Sequence, residues 1–342
     1  MTIKRILLAA SLLLFGSQAV ADRPDFWPDS IRSEMVDTVT IEMQVYRAGE
    51  SGMPVVVMQD MHDYFDPNPK WEDPQARAGW IAQGAGHRGF VARLGEKHRV
   101  FVPIRRGYGL TEDPGTGYDA ATTGRDLIAL MDASGIDRAV FVGRSPSQNE
   151  MLWLAENYPD RMAAMILLDG IVQPLLDVSD PDAFAFASGW WRGARDVANT
   201  DERIDQLTSE RLGGYVPAFL SDTELRSDVP TLYLEGPPAF EGKWMWSSLY
   251  RMSRASVEMC TEVTDAYPCS VFGDPGRVAR LDEFFDDNPI ETLVAGGRSK
   301  MEDQFTDFTL DPYPHGEQMV QNFWGDYLER IQPFLSRFSA ED

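Results

Sequence analysis

The sequence predicts an α/β fold with a mostly parallel central sheet, flanking helices and a helical insertion. Apolar runs, typical of parallel strands buried on both faces, occur at residues 55–58, 99–104, 139–142 and 163–168, with Arg99 as the one charged residue among them. Segments with helical spacing separate these runs, and alternation of strand and helix favours a parallel sheet covered on both faces. From residue 171 the pattern becomes mostly helical. The insertion therefore follows the fourth of these apolar runs.

The elements predicted before the insertion occupy residues 22–170, the first part of the core. They begin with one alternating strand at residues 36–46, followed by the apolar strand at 55–58 and a long loop at 59–74. Helical character follows at residues 76–97, where the glycines near Gly84 and Gly86 should interrupt it. A helix over residues 118–134 then leads to the strand at 139–142.

Residues 171–228 are predicted to form a cap, and residues 229–342 the second part of the core. This second part should contain strands at 231–234, 292–295 and 308–310 and a closing helix at 319–338. A further helical insertion is expected at about residues 237–287. Trp190 and Trp191 lie in the first insertion, and tryptophan and methionine are frequent in the second, a composition that suits either a cover for an apolar ligand or ordinary packing.

The composition indicates a globular protein with a strongly acidic surface. The 342 residues are 43% hydrophobic and 25% charged, as in ordinary folded domains, and the formal net charge is −23. This charge repels nucleic acids and anionic membranes, so neither is expected as a partner.

Residues 1–21 have the pattern of a secretory signal peptide. Lys4 and Arg5 precede an apolar segment at residues 6–15, and Ala19-Val20-Ala21 forms a small-residue cleavage site. The apolar segment is short for a bilayer span, although an uncleaved anchor is the alternative. No later segment is apolar enough for a transmembrane helix. We therefore expect a periplasmic or secreted protein without a membrane span after cleavage.

The two cysteines, Cys260 and Cys269, lie close together in the exported part. In an oxidising compartment such a pair is expected to form a disulfide, with two buried free thiols as the alternative. No cofactor or metal is expected. The loop acids and histidine that could suggest a metal are better explained as solvated or capping groups: Asp60, His62, Asp63 and Asp66.

A serine lies at the tip of a small-residue turn between a predicted strand and a predicted helix. The turn reads Gly143-Arg144-Ser145-Pro146-Ser147, and a strand, tight turn and helix in this order are how a nucleophile elbow exposes its serine. The same residues also fit a helix N-terminus, with Ser145 as N-cap and Pro146 at the first helical position.

Three segments resemble the α/β-hydrolase superfamily, and the resemblance covers most of residues 55–338. They are RVFVPIRRGYGLTE, GIDRAVFVGRS and LAENYPDRMAAMILLDG, at residues 99–112, 135–145 and 154–170. They are similar to capped members such as the esterase, epoxide-hydrolase and proline-iminopeptidase groups. The resemblance implies an α/β-hydrolase fold with a helical cap and Ser145 as the nucleophile.

The resemblance also implies a histidine base late in the chain. His315 follows the last predicted strand and precedes the closing helix, which is the position that the family uses. A base at this position would take the proton of Ser145, because a serine hydroxyl is a poor nucleophile without such a partner. His87 and His98 are expected at the surface.

The orienting acid is the least defined member of the implied site. The usual family position falls near Ala239 or Ser299, and neither is an acid. Asp169, at the end of the strand after the nucleophile helix, is the alternative that some capped relatives use, although it also suits a turn. The other open candidates are Glu235, Glu302 and Asp303.

Two departures from the family pattern affect the implied oxyanion hole. The family uses the backbone N–H after the nucleophile, whereas Pro146 has none. Gln59-Asp60 replaces the usual His-Gly pair, which places the second donor at the Met61 N–H. The side chain of Gln59 or Tyr64 is a candidate to replace the missing donor.

Two functions follow from these observations. The first is a secreted serine hydrolase that cleaves an ester or small amide of an apolar or aromatic small molecule through Ser145, His315 and Asp169. A dehalogenase-like reaction is disfavoured because the nucleophile position holds serine rather than aspartate. The second is a catalytically inactive hydrolase-fold protein that binds a ligand or partner in the periplasm, since fold alone does not fix function.

Overall fold

The computed structural model describes residues 28–59, 74–117, 120–144, 147–168, 227–235, 301–312 and 324–338, with residues 283, 286, 287, 298 and 299. The predicted α/β fold is confirmed. The strands are β1 (Arg32–Asp37), β2 (Glu42–Ala48), β3 (Pro54–Val57), β4 (Arg99–Pro103), β5 (Ala139–Arg144), β6 (Met162–Leu168), β7 (Thr231–Glu235) and β8 (Phe308–Pro312). The helices are α1 (Pro74–Leu94), α2 (Ala120–Ala133), α3 (Ser147–Asn157) and α4 (Trp324–Leu335).

The eight strands form one sheet in the order β1-β2-β4-β3-β5-β6-β7-β8. β1 and β2 pair antiparallel with each other, β2 pairs antiparallel with β4, and all other neighbours are parallel. The central strands β3, β5 and β6 are almost entirely buried, as their unbroken apolar sequences require. The carboxyl ends of the parallel strands therefore meet at one edge of the sheet.

The prediction of a single strand at residues 36–46 is wrong, because a turn at residues 38–41 divides it into β1 and β2. The Thr38 hydroxyl accepts the backbone N–H groups of Thr40 at 3.2 Å and Ile41 at 3.0 Å. The same hydroxyl lies 2.7 Å from the Ile41 carbonyl. Thr38 thus supplies the turn with hydrogen bonds that alternating hydrophobicity does not reveal.

The helices cover both faces of the sheet. On one face, Phe90 of α1 packs edge-to-face on Tyr327 of α4 with ring centroids 5.5 Å apart. On the other face, Leu130 of α2 and Met151 of α3 belong to a second buried cluster. The predicted three-layer arrangement is present in the described residues.

Helix α1 runs through Gly84 and Gly86, which the sequence analysis expected to interrupt it. Each glycine lowers helix stability by about 1 kcal/mol relative to alanine. Burial of Phe90, Val91 and Leu94 against the sheet offsets this loss.

The expectation that His98 lies at the surface is also wrong, because this side chain is only 2% exposed. The turn before β3 packs closely on the backbone of His98, because a Cβ added at Gly49, whose φ is +75°, would lie 2.0 Å from the His98 carbonyl oxygen. Burial lowers the pKa of His98.

Several predicted elements lie outside the described residues: the signal peptide, the cap at 171–228, the insertion at 237–287, the strand at 292–295 and the Cys260–Cys269 pair. Among the described residues, no helix has the length and apolar character needed to cross a bilayer.

Candidate active site

Ser145 and Asp169 directly follow adjacent parallel strands, and His315 comes shortly after the last strand of the same sheet. Ser145 comes after Arg144, which ends β5 opposite Leu168 of β6, and Asp169 comes after Leu168. Glu235 ends β7 opposite Pro312 of β8, and residue 315 is the histidine predicted as the base. Ser145, Asp169 and His315 themselves lie outside the described residues, as do Pro146, Met61 and Tyr64. The strands that lead to them end at the same edge.

Strand β5 and helix α3 approach each other closely at the predicted elbow. A Cβ added at Gly143 would lie 2.4 Å from Ser147 Oγ and 2.7 Å from Met151 Sδ. The Ser147 hydroxyl donates a hydrogen bond to the Arg144 carbonyl at 2.7 Å. The residues on either side of Ser145 and Pro146 are thus closely packed, which is compatible with the nucleophile elbow predicted from the sequence.

A second contact fixes the start of α3 against β6. Gln148 is 1% exposed, and its Nε2 donates to the Leu168 carbonyl at 3.3 Å. Because the N-terminus of an α-helix carries a partial positive charge, this end of α3 favours negative charge that develops near it.

Gln59 is the one predicted oxyanion residue that the structure describes. Its side chain is buried, and its Oε1 accepts the backbone N–H of Arg105 at 2.7 Å. A backbone N–H can only donate, so this contact fixes the orientation of the amide. Gln59 Nε2 is buried and has no hydrogen-bond partner among the described residues. Gln59 Nε2 can therefore donate a hydrogen bond to a further acceptor.

Two buried ion pairs extend from the turn after β4, and neither was predicted from the sequence. Arg105 donates from Nε and Nη2 to the two carboxylate oxygens of Glu150 on α3, at 2.7 and 2.6 Å. Arg106 contacts Asp126 on α2 in the same two-pronged way, with both distances 2.8 Å. The partners are 45 and 20 residues apart in the chain, so local patterns carry little sign of them.

The two pairs lie beside a cavity with room for about one water molecule. Its lining includes Gln59, Arg105, Arg106, Asp126 and Glu150. Burial raises the pKa of the Asp126 carboxyl, and hydrogen bonds from Arg106 and Thr40 oppose this rise. The cavity thus combines a free amide donor with two paired carboxylates.

Three alternatives for the orienting acid are described by the structure, and of these Glu235 is buried. One of its oxygens accepts a hydrogen bond from Arg298, whose pKa is raised mainly by this bond. The other oxygen, Oε1, is buried and has no hydrogen-bond partner among the described residues. Glu302 and Asp303 are exposed. Within the described residues, no group of three or more His, Cys, Asp or Glu side chains is placed to hold a metal.

Comparison with known proteins identifies the family. The alpha/beta hydrolase fold family matches residues 79–251, about half of the chain. The chain belongs to this family. The α/β-hydrolase resemblance predicted from the sequence is therefore confirmed, and the eight-stranded, mostly parallel sheet is the fold of this α/β hydrolase.

Curated relatives of this α/β hydrolase match it over part of their length. Epoxide hydrolase A of Mycobacterium tuberculosis is 30% identical over 153 residues, which are 44% of this chain and 42% of that enzyme. The non-heme chloroperoxidase of Streptomyces lividans is 34% identical over 88 residues, 25% of this chain and 32% of that protein. The matched segments thus span less than half of either relative.

Solved structures share the fold over nearly the whole chain. A candidate acyltransferase of Salmonella enterica has a TM-score of 0.57 and 16% identity, and the match covers 93% of this chain and 99% of that one. A candidate epoxide hydrolase of Pseudomonas aeruginosa has a TM-score of 0.57 and 13% identity, with 93% and 98% covered. At these identities the similarity concerns the fold alone.

Proposed function

We propose that this α/β hydrolase is an exported serine hydrolase that cleaves an ester or small amide. The observation that carries the proposal is the close β5–α3 connection around Ser145, in which Gly143 and Ser147 permit the tight approach that an exposed nucleophile requires. Family membership supports it further. Export rests on the signal-like residues 1–21.

In the proposed reaction, His315 takes the hydroxyl proton while Ser145 Oγ attacks the substrate carbonyl carbon. The tetrahedral intermediate collapses to an acyl-serine, and His315 gives the proton to the leaving alcohol or amine. Water, activated by the same histidine, then hydrolyses the acyl-serine and restores the enzyme. The proposed cover of residues 171–228 and 237–287 is rich in aromatic residues, and its second segment also contains Met245, Met252 and Met259, which supports an apolar or aromatic small-molecule substrate.

A serine nucleophile favours acyl transfer over epoxide opening. Attack of a serine on an epoxide carbon forms an ether, and an ether has no carbonyl at which water can add to release the enzyme. Attack on an ester or amide forms an ester intermediate, which water hydrolyses readily. The epoxide-hydrolase names of several relatives therefore support the fold more than the reaction of this chain.

Asp169 is proposed as the acid that orients His315, with Glu235 as the alternative. Asp169 follows Leu168, which lies opposite Leu234 in the sheet, so both acids follow strand positions at the same level. Glu235 also lies opposite Pro312 in the β7–β8 pair, and His315 follows Pro312 in the sequence. Its Oε1 lacks a described partner, whereas its other oxygen is held by Arg298.

Gln59 Nε2 is proposed as the oxyanion donor that replaces the N–H absent from Pro146, together with the Met61 N–H. Loss of one oxyanion donor typically lowers kcat by about 10²–10³. The fixed amide orientation of Gln59 supports this role, because Oε1 is held by the Arg105 N–H while Nε2 has no described acceptor. Tyr64 is the second candidate for the same role.

The proposal is tested by labelling the purified mature protein with a fluorophosphonate and mapping the adduct, alongside turnover of p-nitrophenyl esters. We expect an adduct on Ser145 that Ser145→Ala and His315→Ala abolish. Gln59→Glu keeps the acceptor for the Arg105 N–H and removes the donor, so it should lower kcat by about 10²–10³. An unlabelled Ser145 in folded wild-type protein would refute the serine-hydrolase proposal.

The second candidate function is a periplasmic binding protein without turnover. Pro146 favours it, because proline next to the nucleophile removes a backbone donor that the family mechanism uses. Ligand binding that survives in Ser145→Ala, together with absence of labelling in the wild type, would support this candidate.

A further inference from the structure

We infer that Arg105 and Glu150 are positioning residues for the predicted nucleophile turn. This inference rests on the proposed function. Arg105 follows β4 and contacts two neighbouring segments: its backbone N–H holds Gln59 after β3, and its guanidinium holds Glu150 on α3. Glu150 lies in the first turn of the helix that follows Ser145.

The geometry of the pair limits how α3 can move. The guanidinium and carboxylate meet through two parallel hydrogen bonds of 2.7 and 2.6 Å, and the side chains are 9% and 1% exposed. A two-pronged contact of this kind fixes direction as well as distance. Because water does not compete strongly at this depth, rotation or sliding of the first turn of α3 would separate two buried charges.

The same residue links the predicted nucleophile to the predicted oxyanion donor. Gln59 Oε1 accepts the Arg105 N–H at 2.7 Å, and this contact turns Gln59 Nε2 away from Arg105. One residue thus sets the orientation of the Gln59 amide and the position of the helix after Ser145. A shift of about 1 Å between a nucleophile and its oxyanion donor is enough to lower a rate by about 10²-fold.

Stability alone is a weak explanation for this pair. A buried ion pair is often no more stabilising than well-packed hydrophobic residues of similar volume. Replacing both partners, with Arg105→Met and Glu150→Leu together, therefore removes the side-chain contact with α3 and both of its charges, while the backbone N–H that holds Gln59 remains. The double variant separates positioning from folding.

The chain contains a matched control in the adjacent pair. Arg106 and Asp126 are similarly buried, with side chains 8% and 4% exposed, and make the same two-pronged contact. Their pair ties the β4 turn to α2 rather than to α3. The control double variant combines Arg106→Met with Asp126→Leu.

The experiment compares the rate of fluorophosphonate labelling of Ser145, and kcat and KM for p-nitrophenyl esters, in both folded double variants. We expect the Arg105/Glu150 variant to lose about 10²-fold in labelling rate and kcat with KM unchanged. The Arg106/Asp126 variant, whose pair contacts α2 rather than α3, should lose much less. Equal losses in the two variants, or no loss in the first, would overturn the inference.

Two further measurements keep the test decisive. Arg105→Lys keeps the positive charge but lacks the paired guanidinium N–H donors, so its kcat should lie between those of the wild type and the double variant. A wild-type rate in Arg105→Lys would contradict an orienting role, and this variant also serves if the double variant does not fold.

Hydrogen exchange of peptides covering the first turn of α3 separates the inference from the proposed function. Exchange should be faster in the Arg105/Glu150 variant than in the Arg106/Asp126 control, whether or not the wild type is labelled. If the wild type is not labelled but the two variants differ in exchange, the hydrolase proposal is refuted and the inference that Arg105 and Glu150 position α3 is supported. Equal exchange in both variants refutes the positioning itself.

Discussion

Replacing Gly143 with alanine should be among the most damaging small changes in this chain. The added methyl group would lie 2.4 Å from Ser147 Oγ and 2.7 Å from Met151 Sδ, both well inside van der Waals contact. Ser147 and Met151 are completely buried, so neither can move into solvent. The strand and helix must separate, or the side chains must leave their preferred positions.

The size of the effect follows from the two contacts. Moving Ser147 Oγ breaks its 2.7 Å hydrogen bond to the Arg144 carbonyl, which costs about 1 kcal/mol. Overpacking of a buried methyl group against Met151 costs about 1–3 kcal/mol more. Gly143→Ala should therefore lower the free energy of unfolding by about 2–4 kcal/mol. Displacement of α3 should also slow labelling of Ser145.

Urea unfolding followed by circular dichroism measures this loss. Gly325→Ala is the control, because Gly325 lies within α4 and an added Cβ meets no atom of the described residues within 4 Å. It should raise stability by about 0.5–1 kcal/mol, the ordinary gain of alanine over glycine in a helix. In a Ser147→Ala background the cost of Gly143→Ala should shrink, because the closer of the two contacts is gone. Wild-type stability in Gly143→Ala would refute the close approach of β5 and α3.

Three further predictions follow from the described contacts and the proposed site. Burial lowers the pKa of His98, so the unfolded chain binds more protons than the folded chain near pH 6. The free energy of unfolding should therefore fall as pH drops below about 6.5, by at most about 1.4 kcal/mol per pH unit. His98→Leu should make this part of the pH profile flatter, and an unchanged slope would contradict the prediction. Thr38→Val should cost about 1–3 kcal/mol in urea unfolding through lost hydrogen bonds in the β1–β2 turn, whereas Val39→Thr, at a 94% exposed position, should change little; equal effects would refute the role of the Thr38 hydroxyl. If Asp169 orients His315, Asp169→Asn should lower kcat far more than Glu235→Gln, and the reverse ranking would assign the acid to Glu235.

The elements that the sequence predicts well are those whose signal is local. The strands predicted at residues 55–58, 139–142 and 163–168 are apolar throughout. They are therefore predicted to be buried whichever strands lie beside them in the sheet. The β1–β2 turn was missed because alternation continues through Thr38, whose side chain makes the turn. The burial of His98 is a tertiary feature, and the residues next to it in the sequence do not indicate it.

The site shows the same division between local and long-range information. A serine between a strand and a helix is a local pattern, and the close approach at Gly143 agrees with it. The Arg105–Glu150 contact joins residues 45 positions apart, and either side chain alone suggests only a solvated charge. The sheet must bring β4 beside the start of α3 before the pairing exists. Such buried pairs are therefore visible only once the topology is known.

Pro146 and Gln59 together define what kind of hydrolase this chain can be. Proline removes one oxyanion donor beside the predicted nucleophile, a loss worth about 2.7–4 kcal/mol of transition-state stabilisation when nothing replaces it. Gln59 follows the neighbouring strand β3 and keeps a buried amide donor whose direction the Arg105 N–H fixes. A donor fixed before substrate binds needs no reorganisation during the reaction, which is the property that makes oxyanion holes effective. If Ser145 is the nucleophile, efficient turnover is therefore expected to depend on the Gln59 amide or on Tyr64, whereas ligand binding alone would not.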